Sequence, residues 1–403
     1  MKSFELMDTL FTRYCKQEYL LEYMEKNYPY PEFKSRRLKS ETIARERDKY
    51  KFVTLDHIYE VFKELTIEEC PLDTFDLLKA YELNLEIENS IPIQCNINLI
   101  ADEDIFIVDS YFTRENLVTL LSKHGIPQQK MYNFTDTDLP ETIVHIGKKN
   151  RPNLNVSTVS NVSKAYAFTC TETLLYDSPL LKKIRGFRLK NPYVEHEKEY
   201  SFYEEQASYA LPILLLFCIH LKKILVKENR TKALFCTKGL YQLFSSMFPD
   251  IESVLFSTSS LIHLHPTHSY KEYVQKLYQD KTTMVVDLHG FFRKEGYIYK
   301  ELFGYIPRVH VLVHELQCVF PSLSYCIESR ELSMEYIDSL AYDTRGVLFS
   351  MIEGSELRLH ERPKPSLELL PSFSEEFSGI GIEFMDLDIP PILLQIIESA
   401  CST

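Results

Sequence analysis

The spacing of apolar residues changes along the chain. Residues 2–12 read as a short buried strand running into a turn. From Lys16 to about Leu85 apolar positions recur at three- and four-residue spacing, as in Tyr19, Leu20, Tyr23 and Met24, and again in Ile58, Val61, Phe62 and Leu65. That period predicts helices, the last of them over Leu72–Ile87 and closed by Pro92. The charged, mixed-sign stretch Phe33–Lys51 reads as a solvated helical face. Continuous apolar runs of strand length follow at Asp104–Asp109 and Thr142–Gly147, with a third strand expected at Ala165–Cys170. A helix over Thr113–His124, stopped by Gly125 and Pro127, separates the first two. Strand, helix, strand at this spacing predicts a parallel α/β sheet.

A basic connecting stretch is expected at Leu180–Lys190, and a second alternating series begins after it. Helix 203–228 leads to strand Lys232–Cys236, helix Leu240–Met247, strand Ser253–Ser257 and helix Tyr270–Gln279. Strand Thr282–Asp287, helix Tyr297–Leu302 and strand Arg308–Val313 complete a doubly wound pattern. The segment after Arg362 reads as a Pro- and Glu-rich tail.

Composition narrows the function classes. The 403 residues suggest about two to three domains, and 45% hydrophobic with 13% aromatic content excludes a disordered chain. A net charge of −13 disfavours a nucleic-acid partner, because phosphate neutralisation needs a basic face. Glu5 and Asp8 interrupt any signal-peptide core. The longest apolar stretch, Ala210–Leu221, is too short to span a bilayer and contains His220, so no membrane span is expected. Nine scattered cysteines without a CxxC pair fit reduced thiols in a cytoplasmic protein. The sequons at Asn133, Asn155, Asn161 and Asn229 read as chance.

Four segments carry a family resemblance. Phe4–Arg13 (FELMDTLFTR) resembles the opening strand of haloacid-dehalogenase-like (HAD-like) hydrolases, in particular a subgroup beginning FDxFDTLLTR. Val53–Tyr59 resembles a turn in that subgroup's helical cap, Ile107–Arg114 its SDMYL segment, and His145–Asn150 its HIGDN segment. Order and spacing match across residues 1–175. In the second half, Leu234–Tyr241 resembles LFLSRDGY and Val285–Gly290 resembles VVDIGW. Both lie in the region that follows the hydrolase domain in larger bacterial members associated with surface-polysaccharide synthesis. The resemblance implies an α/β fold: a HAD-like Rossmannoid parallel sheet with a helical cap, followed by a second α/β Rossmann-like domain. The corresponding boundaries are 1–178 with the cap at about 16–90, then 179–362, then a tail over 363–403.

The family's chemistry asks for an Asp nucleophile ending the first strand and an acid two residues on. It also asks for a Ser or Thr ending the second strand, a basic residue, and acids that hold Mg²⁺ after the last strand. Here the nucleophile position holds Glu5, whose extra methylene moves the attacking oxygen by about 1 Å, a displacement worth about 10²-fold in rate. Met7 stands at the second acid, Val108 precedes Asp109 at the hydroxyl position, and Lys130 is the sole candidate base between 128 and 140. Lys148 and Lys149 occupy the metal position, and Asn153 stands where another acid is usual. Asp8 remains as a degenerate site residue. Mg²⁺ and other cofactors are therefore not expected. The two lysines are expected to hold Glu5 and Asp109 in an ion-pair network in place of the metal.

The resemblance thus implies a pseudo-hydrolase that acts by binding a protein partner or a phosphorylated or glycan ligand. One alternative is a transferase or hydrolase whose working site lies in the second domain around Lys238, Asp287 and His289; another is a weak HAD-type phosphatase. Val285-Val286-Asp287 also suggests a phosphoribosyltransferase-like loop, which Phe291-Phe292-Arg293 does not fit. His263, His265 and His268 could ligate a metal, though Pro266 favours a polar loop. His310 and His314 flank a strand without an HExxH pattern and read as core or strand-end residues. The tyrosines between Tyr14 and Tyr30 read as helix packing.

Overall fold

Ser3, Phe4 and Glu5 are buried on both faces of the strand they form, and β1 (Lys2–Glu5) accordingly lies at the centre of its sheet. The computed structural model describes the chain except residues 29, 31, 48–51, 67–71, 109, 134–141, 148–155, 162–163, 177, 279–281, 290–298, 302–303, 306, 315–321, 329–333, 343–346, 360–367, 381–385 and 403. Its contacts separate two units, Met1–Phe168 with Arg185–Tyr200, and Thr169–Ile184 with Ser201–Thr403. Both are α/β units built on parallel sheets.

In the first unit, β2 (Phe11–Arg13) pairs antiparallel with β3 (Ser90–Pro92). Between them run α1 (Gln17–Asn27), α2 (Phe33–Glu46), α3 (Leu55–Thr66) and α4 (Leu72–Glu88). The two-stranded pair closes the base of this helical insertion. Phe62 anchors the helices, meeting Tyr30, Phe33, Tyr59 and Phe75 edge-on at 5.5–5.7 Å between ring centroids. The charged α2 is not solvated all round: Arg37 is fully buried.

The main sheet adds β4 (Ile105–Val108), β5 (Lys130–Asn133), β6 (Thr142–Gly147) and β7 (Val156–Asn161), in the order β5-β4-β1-β6-β7. All neighbours are parallel, with Glu5 opposite Ile107 and Ser3 opposite His145.

Two expectations need correction here. Ala165–Cys170 is not a strand: a short 3₁₀ turn at Lys164–Tyr166 leads to a helix at Cys170–Leu174. The reason lies in the stretch expected as a basic connection, which is a helix, Leu180–Leu189, with Arg185 and Arg188 fully buried. Arg185 donates to the carbonyls of Arg13, Tyr166 and Ala167, and Arg188 to those of Ala165 and Ala167. Guanidinium groups thus take the carbonyls that a sheet ladder would otherwise need.

In the second unit, β8 (Lys232–Phe235), β9 (Glu252–Leu255), β10 (Thr283–His289), β11 (Arg308–His314) and β12 (Leu323–Glu328) form a parallel sheet in the order β12-β11-β10-β8-β9. The helical run Lys198–Lys227 is 30 residues long and apolar enough by composition to cross a membrane, beyond the Ala210–Leu221 run considered from sequence. Its residues Leu211–Ile219 are buried on all sides within this unit, as in a core helix. A hairpin of β13 (Val347–Ile352) and β14 (Ser355–Leu359) follows β12. The segment expected as a tail carries helices Leu370–Glu376 and Ile389–Ser402, which bury Phe373, Leu393, Ile396 and Ile397 in the same unit. Half of the expected helix Tyr297–Leu302 lies outside the described residues, and its described part, Tyr299, Lys300 and Glu301, is helical.

Candidate functional site

In open parallel sheets, ligands bind beyond the carboxyl ends of the strands, where the strand order reverses. In the first unit that point lies between β1 and β6, and it is occupied by Glu5, Gly147 and the turn after β1. Glu5 ends β1 and is almost wholly buried. Its Oε1 lies 3.6 Å from Nε2 of His145, which is fully buried on the neighbouring strand. The other ring nitrogen of His145 bonds Ser3 Oγ at 2.9 Å. The alternation of a strand puts Ser3 and Glu5 on one face of β1, and the register brings His145 beside them. This polar line inside the sheet was not assigned from sequence. The signal for it was the phase of TIVHIG against KSFE.

Gly147 completes the packing. A Cβ there would lie 2.6 Å from both Glu5 Cδ and His145 Nε2. Gly147→Ala should therefore lower unfolding free energy by about 1–3 kcal/mol through overpacking, read from urea denaturation against wild type. An unchanged midpoint would mean that Glu5 and His145 move aside without cost.

Asp8 stands in the turn with left-handed backbone, φ 57°, and accepts from Thr12 Oγ1 at 2.6 Å. Val108 ends β4 and is buried, with no hydroxyl to offer. Lys130 is exposed and begins β5 opposite Ile105, which is level with Ser3. It therefore lies toward the amino end of the sheet, away from Glu5, and does not serve as the anion-neutralising base considered from sequence. Asp109, Lys148, Lys149 and Asn153 lie outside the described residues, and so does the ion-pair network expected of them.

An open cleft of about 310 Å³ lies beside Asp8, lined by Thr12, Arg13, Gln17, Tyr166 and Phe168 among others. Its floor is held by buried charges. Arg13 Nε donates to Glu86 at 2.6 Å and its Nη2 to Tyr111 at 3.1 Å, while Tyr111 donates to the same carboxylate at 2.5 Å. Burial alone would lower the Arg13 pKa. Pairing with Glu86 outweighs it and holds the guanidinium well above its usual value. Arg185 stacks on Phe168, 4.0 Å from the ring centre, and fixes that wall.

In the second unit the order reverses between β8 and β10. Val286 is level with Phe235, so Asp287 and His289 extend past the end of β8, and Lys238 opens the helix Lys238–Met247 that follows it. The three residues singled out from sequence thus share one end of this sheet. The Leu288 amide donates to Asp287 Oδ1 at 2.8 Å. The Gly239 amide donates to the Ala341 carbonyl at 2.9 Å, and a Cβ on Gly239 would come within 3.0 Å of Tyr342. The chain's own backbone therefore sits at the first turn of that helix.

The histidine triplet does not assemble. His263 is buried and bonds Thr258 and Tyr270 at 2.8 and 3.0 Å, whereas His265 and His268 are exposed. Among the described residues no group of three or more His, Cys, Asp or Glu is placed to hold a metal ion. His310 is buried on β11, stacked on Phe217 and His220, and His314 stacks on Tyr325. The described cysteines, Cys15, Cys95, Cys170, Cys218, Cys236, Cys326 and Cys401, are free thiols. Compared with known proteins, the chain matches no protein-family model and no curated protein.

Proposed function

We propose that the chain is a catalytically degenerate HAD-like protein, a pseudo-hydrolase that acts by binding a protein partner or a phosphorylated or glycan ligand. The observation that carries this reading is the setting of Glu5. A carboxylate that attacks phosphorus must reach the substrate in line, and Glu5 is packed between His145 and Gly147. Val108 adds no hydroxyl to cradle the transferring group. The family assignment is supported by the order of the first sheet, 3-2-1-4-5 when its strands are numbered in turn, an order shared with the doubly wound sheet built from two mononucleotide-binding halves. A helical insertion on a two-stranded base, after the first strand, fits a cap.

The purified chain, given an aryl phosphate and Mg²⁺, is expected to release phosphate at the rate of buffer alone. Turnover that disappears in Asp109→Ala would replace this reading with that of a weak phosphatase. Binding is tested by thermal shift with phosphosugars and sugar nucleotides without Mg²⁺.

One observation favours a second reading, an enzyme working from the second unit. Its sheet order is 2-1-3-4-5, a doubly wound order whose reversal point collects Lys238, Asp287 and His289. A sugar-nucleotide shift that is lost in Asp287→Asn but kept in Glu5→Gln would favour it.

A further inference from the structure

The β13–β14 hairpin has its faces reversed. A surface strand normally turns polar residues outward and apolar ones inward. On β14 the charged residues turn inward: Glu356 accepts from Ser257 Oγ, and Arg358 Nε donates to Glu356 at 2.8 Å. Leu357 and Leu359, the alternate residues, face solvent, with Phe349 and Ile352 on β13, all 39–55% exposed. The inner side is properly seated. Leu348 and Met351 are buried, and Ser259 and Thr267 donate to their carbonyls. The register that seats the inner face therefore leaves the outer one apolar.

We propose that this hairpin face is where a second copy of the chain docks. Area supports that occupant. The four outward side chains Phe349, Ile352, Leu357 and Leu359 expose roughly 350 Å², taking ~180 Å² for each whole side chain. A standard interface covers about 800 Å² per partner, of which roughly 60% is apolar, so these four side chains supply roughly 70% of the apolar area that one side needs. Charge supports it too. The outward residues Ser350, Ile352, Ser355, Leu357 and Leu359 carry no charge, which limits the like-charge repulsion between two chains of net charge −13 that meet through this face. A two-fold contact buries one patch against itself and closes the assembly.

The full chain is expected to run as a dimer by light scattering in the micromolar range. The double variant Ile352→Glu, Leu357→Glu should halve that mass with circular dichroism and melting midpoint unchanged. A wild type that is monomeric, or a folded double variant that keeps the dimer mass, overturns the proposal. If the variant fails to fold, hydrogen exchange of the wild type decides. Amides 347–359 should exchange several-fold more slowly at high than at low concentration, and rates independent of concentration overturn it.

Discussion

Replacing Arg37 with methionine is expected to destabilise the first unit by about 3–5 kcal/mol, because it strands a buried carboxylate. Arg37 is fully buried and holds Glu82 with two bonds, Nη2 at 2.7 Å and Nε at 2.9 Å. Glu82 also accepts from Tyr59 at 2.8 Å, and Arg37 reaches Glu41 at 3.0 Å. Burial would lower the Arg37 pKa, but the Glu82 charge raises it far above its usual value, so the guanidinium stays charged at any working pH. Removing the cation leaves Glu82 with a tyrosine hydroxyl as its one remaining neighbour among these bonds. The midpoint of thermal unfolding should drop by roughly 10 °C for a unit of this size. Adding Glu82→Leu to Arg37→Met should restore most of the loss, since an apolar pair of similar volume carries no desolvation cost. If the double variant is no more stable than the single one, the loss comes from packing around the guanidinium and not from the stranded charge.

Buried arginine also explains why part of the fold was hidden. β4 and β6 were legible because central parallel strands are near-continuous apolar runs, whereas β1 (KSFE) was read only as part of the longer buried stretch 2–12. The edge strands were not: β5 (KMYN) and β7 (VSTVSN) are polar, since an edge need not bury both faces. Ala165–Phe168 misled in the opposite direction. It is apolar, yet its carbonyls are bonded by Arg185 and Arg188, and arginine on a helix is ordinarily read as solvated.

The candidate site was legible in proportion to its dependence on strand ends. Val108 stands where an apolar run stops, and Glu5 was singled out by the resemblance of FELMDTLFTR to a family motif; both do end strands. Lys130 failed because its placement depends on register: β5 begins level with Ile105. His145 was missed because its role arises across strands, from being opposite Ser3. The outward leucines of β14 were equally out of reach, since neither end of the hairpin had been read as a strand.

Acid should weaken the second unit through a stacked histidine pair. His310 is buried between Phe217 and His220, with Nδ1 bonded to Ser324 Oγ at 2.8 Å. Burial, then His220 and Arg308, push its pKa down to about 3. Burial and Lys223 push His220 down to about 4, against a smaller upward pull from Asp388. Both folded values lie below the unfolded value of about 6.5. The unfolded chain therefore binds more protons between these limits, and stability falls as pH drops through that window. At pH 4.5 each histidine costs on the order of 2–3 kcal/mol relative to pH 7.5. His310→Phe keeps an aromatic ring in the stack and removes one titrating group. The difference in urea-unfolding free energy between pH 7.5 and pH 4.5 should shrink by about 2–3 kcal/mol in this variant. The variant should also be less stable at pH 7.5, by the order of 1 kcal/mol for the lost bond to Ser324. Two parallel stability curves, displaced but with the same slope in acid, would mean that His310 is not a neutral group forced to charge on unfolding.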